Sequence, residues 1–143
     1  MILLDATLLL YAKLADMPLH EMSRLWLERE LTGPGRVGMP WESLTAFLRI
    51  STNPRIFPMP LGPSEAWEQV EEWLALPNVW IPQPVDLHAN ILGGLIRDTG
   101  ATGKRLPDAH LAALAIGHGL TLCTADTDFR VFRGLKILNP TVP

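Results

Sequence analysis

Asp5, Glu42, Asp108 and Asp126 are the side chains whose type and placement could do chemistry together, with Asp128 two residues beyond the last. Each stands just after a short apolar run or at the start of a helical pattern. A carboxylate there interacts favourably with the helix dipole and unpaired amides, by about 0.3–1 kcal/mol, so capping is the ordinary explanation for any one of them. "TADTDF" (124–129) also reads as an Asx turn. Taken together the acids point further. In an open parallel sheet the carboxyl ends of the strands share one edge, and the crevice where strand order reverses is the usual binding site. Four ionised carboxylates facing that crevice would repel, while helix amino termini favour their ionised form. A divalent cation resolves this conflict. Oxygen ligands without a nearby Cys or His cluster favour Mg²⁺ or Mn²⁺ over Zn²⁺, and such an ion can activate water and stabilise charge at phosphorus.

The elements that must position these acids follow from periodicity. "MILL" (1–4) is a continuous apolar run that suits a strand buried on both faces of a parallel sheet. Leu8, Leu9, Tyr11, Ala12 and Leu14 predict a helix after Asp5, ending before Pro18. "HEMSRLWLEREL" (20–31) predicts a second helix with Met22, Leu25 and Trp26 on its apolar face. "RVGM" (36–39) is a short strand. "PWESLTAFLRI" (40–50) is a helix with Leu44, Phe47 and Leu48 in a stripe that begins near Glu42. The proline-rich "STNPRIFPMPLG" (51–62) is a loop. "PSEAWEQVEEWLAL" (63–76) predicts a helix capped by Ser64, with Trp67, Val70 and Leu74 inward. "NVWIP" (78–82) is a strand, "VDLHANILGGLIRDTG" (85–100) a helix ended by Gly100, and "ATGKR" (101–105) a loop. "DAHLAALAIGHG" (108–119) is a helix opened by Asp108 and ended by Gly119. "LTLCT" and "KILN" are the closing strands. This alternation predicts an α/β fold with a mostly parallel sheet, as one domain over residues 1–143.

Composition bounds the rest. A length of 143 residues at 48% hydrophobic composition can bury one core. A formal net charge of −3 excludes a general nucleic-acid coat, so any nucleic-acid contact must be local. Arg49, Arg55, Lys104, Arg105, Arg130 and Arg133 include the cations that would hold an RNA backbone, and Lys104 and Arg105 precede Asp108 closely enough to flank the crevice. A solvated loop explains those two equally simply. One cysteine, Cys123, permits no internal disulfide and fits a reducing cytoplasm. No apolar stretch approaches the ~20 residues of a membrane span, so a soluble protein is expected. Among the five tryptophans, core packing accounts for most, and Trp41 beside Glu42 is the one placed for stacking on a base. The histidines at 20, 88, 110 and 118 lack metal-binding spacing, and Asp108 and His110 at i, i+2 do not face each other on a helix. His118 is placed to complement the helix carboxyl end.

Asp5 in "LLDATLLLYA", Glu42 in "PWESLTAFLRI", Asp108 in "LPDAHLAALAIGHG", and Asp126 with Asp128 in "TADTDF" resemble the spaced acids of PIN-domain ribonucleases. More narrowly, the chain is similar to VapC-type toxins of bacterial toxin–antitoxin pairs, over nearly its full length and including "FRVFRGLKILNP" (129–140). One position departs: Thr7 stands where the family often has Asn or Ser, and its hydroxyl can still reach Asp5 or a metal-bound water. The resemblance implies a PIN-like fold and a Mg²⁺- or Mn²⁺-dependent endoribonuclease, usually a homodimer. It also implies a cognate antitoxin whose tail lies in the groove, and contact with operator DNA only through that antitoxin. Carried over by residue, Asp5 and Asp108 are the principal metal ligands. Glu42 and Asp126 complete the pocket and orient the attacking water, Asp128 binds a second metal through water or caps the turn before Phe129, and Thr7 and Thr124 support. Transfer RNA or a ribosomal RNA loop is the implied substrate.

Two other readings compete. One is a catalytically inactive PIN scaffold acting through antitoxin and operator binding. The other is a phosphatase- or dehalogenase-like hydrolase with Asp5 as covalent nucleophile, which gives Glu42 no role. "TGATGKR" is a poor phosphate loop, since Asp98 occupies the first glycine position and Arg105 follows Lys104. "DTG" (98–100) is the tripeptide of aspartic proteases but follows a helical pattern, where Gly100 reads as a terminator.

Overall fold

The computed structural model describes residues 1–142. Five parallel strands, β1 (Ile2–Leu4), β2 (Val37–Gly38), β3 (Val79–Trp80), β4 (Thr121–Cys123) and β5 (Lys136–Leu138), form one sheet in the order β3-β2-β1-β4-β5. The chain builds outward from β1 through β2 to β3, then returns to lay β4 on the other side of β1 and β5 beyond it. Strand order therefore reverses between β1 and β4, where Leu4 pairs with Cys123. The residues that follow, Asp5 and Thr124, open the crevice at this switch point.

Six helices flank the sheet: α1 (Ala6–Lys13), α2 (His20–Thr32), α3 (Trp41–Ser51), α4 (Pro63–Leu74), α5 (His88–Thr99) and α6 (Arg105–His118). Side chains alternate across each strand, so Leu4, Val37 and Cys123 pack in one core with α1 to α4, and Leu3 and Leu122 in the other with α5 and α6. Burial on both faces is why "MILL" carries no polar alternation. No helix among the described residues is long and apolar enough to cross a membrane.

Several elements sit differently from the periodicity reading. On α2 the buried residues are Ser23, Trp26 and Leu27, while Met22 (47% exposed) and Leu25 (50%) face outward. The run Leu25-Trp26-Leu27 permits two helix rotations about 100° apart, and packing selects the second. The same slip occurs on α4, where Ala66, Val70 and Trp73 are buried and Trp67 is 43% exposed. Its start is Gly62 with Pro63 in the first helical position, so Ser64 makes no cap. Helix α6 begins three residues before Asp108, which lies in its first turn together with Pro107, a turn where a proline removes no intrahelical bond. Gly100 and Gly119 end α5 and α6 in the left-handed conformation, at φ 67° in both cases. His118, in the last turn of α6, bonds the Gln83 carbonyl oxygen at 2.6 Å through its Nε2.

Candidate active site

Asp5 caps α1 as it leaves β1. Its Oδ1 accepts the Ala6 amide at 2.8 Å, and its Oδ2 accepts the hydroxyls of Thr124 at 2.6 Å and Thr7 at 3.0 Å. Thr124, 1% exposed, directs its single proton at Asp5 and accepts the Asp126 amide at 3.0 Å; Thr7 likewise accepts the Ala125 amide at 3.4 Å. The two hydroxyls thus tie the end of β1 to the end of β4 through one carboxylate. The threonine at position 7 leaves Asp5 with three donors. Burial pushes the Asp5 carboxyl above its ordinary range; the Thr124, Thr7 and Ala6 hydrogen bonds oppose this and the Asp126 charge adds to it.

Asp126 follows β4 and accepts the Asp128 amide on its Oδ1 at 2.8 Å, the Asx turn expected from "TADTDF". Asp108 reaches the same region from the first turn of α6. Its carboxyl is pushed up from 3.8 to about 6, first by burial and then by the charges of Asp126, Asp5 and Asp128, against the opposing charge of Arg105. These are the marks of carboxylates held together.

Glu42, in the first turn of α3, stands on the wall of the same crevice. Ser43 anchors that turn by donating to the Leu4 carbonyl oxygen at 2.6 Å. Asp5, Glu42 and Asp108 line one cavity of about 250 Å³ together with Arg49 and Lys104. Arg105 is not on its wall and acts through its charge on Asp108. Trp41 is 38% exposed beside Glu42. A larger cavity of about 370 Å³ lies between α1, α2 and α4, with Lys13, Arg24 and Glu28 among its polar residues, away from the strand ends. Asp5, Glu42 and Asp108 belong to the smaller one, whereas Asp126 and Asp128 are not on its wall and act through their charge, Asp126 on both Asp5 and Asp108 and Asp128 on Asp108.

The same wall holds a feature that spacing did not reveal. His110 Nε2 lies 3.4 Å from Glu42 Oε2, and His110 Nδ1 lies 3.0 Å from His88 Nε2. These partners come from α3, α6 and α5, far apart in the chain, so no local pattern announces them. His88 has its pKa lowered by burial and by His110, with Glu42 opposing.

The donor set suits a hard divalent ion: carboxylate and hydroxyl oxygens, two of the acids raised by burial and mutual repulsion. Among the described residues no group of three or more His, Cys, Asp or Glu side chains stands close enough together to hold a metal ion.

Residues 2–135 match the model of the PIN domain. The chain belongs to the PIN-domain family. Within that family it is 39% identical over 134 residues to Ribonuclease VapC37 of Mycobacterium tuberculosis, covering 94% of this chain and 93% of the relative. It is 35% identical over 140 residues to Ribonuclease VapC33 of the same species, covering 98% of each. It therefore groups with the VapC ribonucleases. Two solved PIN-domain structures share its fold. VapBC2 from Rickettsia felis, bound to a DNA fragment from its promoter, aligns with a TM-score of 0.70 at 18% identity, covering 97% of this chain and 98% of that one. Mycobacterium tuberculosis VapC20, a sarcin-ricin loop cleaving toxin, aligns with a TM-score of 0.67 at 20% identity, covering 95% and 99%.

Proposed function

We propose that this PIN domain, spanning residues 1–143, is the toxin of a toxin–antitoxin pair and an endoribonuclease that hydrolyses RNA phosphodiester bonds with Mg²⁺ or Mn²⁺. Asp5, Glu42, Asp108 and Asp126 form its acidic centre, with Asp128 at the rim. The observation that carries this reading is the joint perturbation of Asp5 and Asp108 by burial and by neighbouring carboxylates at the sheet's switch point.

When bound, the ion offsets this clustered charge, acidifies water and stabilises charge at phosphorus. Asp5 and Asp108 hold it. The three donors on Asp5 fix that carboxylate, so little reorganisation is needed when the ion binds. Glu42 and Asp126 would complete the acidic pocket and orient the attacking water. Arg49 and Lys104 on the cavity wall receive the phosphate backbone, and Trp41 offers a face on which a base can stack. With these few cations on a net-negative chain, specificity rests on local contacts rather than on a general positive field. The protein works as a cytoplasmic homodimer. Its cognate antitoxin covers the acidic groove and supplies the contact with operator DNA, and transfer RNA or a ribosomal RNA loop is the substrate.

The test is incubation of purified, antitoxin-free protein with total cellular RNA and Mg²⁺ or Mn²⁺, beside EDTA and Asp108→Asn controls. Discrete fragments lost in both controls are expected, and mapping their ends identifies the substrate. Equal cleavage by Asp108→Asn and the unmodified protein would overturn the assignment.

A further inference from the structure

We propose that His110 and His88 are positioning residues that hold the Glu42 carboxylate in its working orientation, through a chain of contacts from α5 through α6 to α3 in which His88 hydrogen-bonds His110 and His110 Nε2 stands 3.4 Å from Glu42 Oε2. This rests on the reading of Glu42 as an acid of the centre. Asp108 and His110, two residues apart, point about 200° apart around α6. Asp108 feels Asp5 and Asp126, whereas His110 meets Glu42 and His88. One helix thus presents an acid to the crevice and supports another acid from behind. Without such support, Glu42 has a long side chain, 41% exposed, and many rotamers.

Neutral histidines can satisfy the chain in only one direction. For His110 Nε2 to donate to Glu42, its Nδ1 must be the acceptor, so His88 Nε2 must carry the proton. His88 Nδ1 then bears a lone pair, and it is buried with no hydrogen-bond partner. In the opposite direction His110 would turn a lone pair on the carboxylate and His88 would bury an unpaired N–H, which is worse on both counts. The 3.4 Å separation at Glu42 is longer than a tight hydrogen bond, as catalytic contacts often are before substrate and cofactor bind. The 3.0 Å contact between near-perpendicular rings, 76° apart, already fixes the His110 ring.

The direct readout is a ¹⁵N–¹H correlation of the histidine rings of the full chain at pH 8, free of metal. Both His88 and His110 are expected as Nε2–H tautomers, and His88→Phe is expected to let His110 sample both forms. An Nδ1–H tautomer on either ring of the unmodified protein would overturn the proposal, and this measurement requires no variant to fold. Initial rates of Mn²⁺-supported cleavage of total RNA give the second readout. Removing a group that orients a metal-site carboxylate typically loses 10- to 100-fold, so His110→Ala is expected to be about 10-fold slower. His110→Gln, whose amide nitrogen takes the place of Nε2, is expected to recover most of the rate. In a Glu42→Gln background, His110→Ala should have no further effect. An unchanged rate in His110→Ala beside an impaired Glu42→Gln overturns the positioning role and leaves the active-site reading standing. A fully active Glu42→Gln overturns the reading of Glu42 itself.

Discussion

Replacing Asp108 by Asn is expected to make the metal-free protein more stable while destroying its activity. A carboxyl with a pKa of about 6 in the fold and 3.8 in the unfolded chain opposes folding, once ionised, by about 3 kcal/mol. Asp108 is only partly buried, so solvent screening reduces this to about 1 kcal/mol. For a chain of this size that is about 2–4 °C in Tm. Because the folded state holds the proton more tightly, the native protein gains stability as pH falls from about 6 towards 3.8, and the Asp108→Asn variant lacks this group's share of that gain. The assay is thermal unfolding of both proteins in EDTA at pH 7.5 and at stepwise lower pH. Asp108→Asn should melt higher at pH 7.5, and the difference should shrink towards pH 4. Mn²⁺ at 100 times its dissociation constant should then stabilise the native protein by about 2.7 kcal/mol, and the variant by less, reversing the order. A variant that melts lower in EDTA at pH 7.5, or a difference independent of pH, would refute the account of an Asp108 carboxyl raised by burial and by its neighbouring acids.

Two further expectations concern the supports of the centre. Thr124→Val keeps the shape but removes the donor to Asp5 and the acceptor of the Asp126 amide. A stability loss of about 1–3 kcal/mol in denaturant melts is expected, with slower RNA cleavage at pH 7; an unchanged midpoint and rate would show that the hydroxyl is dispensable. Arg49→Ala and Lys104→Ala, each made in the non-cleaving Asp108→Asn background, should each lower the slope of log affinity for single-stranded RNA against log salt by about 0.7. A slope unchanged in both would place the phosphate path elsewhere.

The four acids were legible because each sits at a strand end or in a first helical turn, and β-α alternation sends all such ends to one sheet edge. The strand pattern put Asp5 and Asp126 at one sheet edge, whereas the Thr124 bond to Asp5 emerged only from the structure. The helix rotations on α2 and α4 could not, since adjacent apolar residues at 25–27 and at 66–67 leave two faces about 100° apart, and only the neighbouring elements choose. The start of α6 was hidden because Pro107 reads as a boundary, although a first turn tolerates it. The contact of Glu42 with His110 and His88 had no sequence signal. It joins three helices by side-chain reach, and single histidines on helices more often serve the core or the helix end.

The hydrogen bond from Thr124 to Asp5 spans 119 residues of chain. At ribosomal speeds of about 5–20 residues per second, Thr124 is made roughly 6–24 s after Asp5. Until then β1 lacks its β4 neighbour, and Asp126 and Asp128 are unmade. A nascent chain therefore lacks the contact between the ends of β1 and β4 however well its first helices fold. Closing so distant a pairing is also slow, so the catalytic crevice is among the last parts of the molecule to form. For a protein whose finished form would attack RNA near its own site of synthesis, this order of assembly delays activity until β4 has been made and paired.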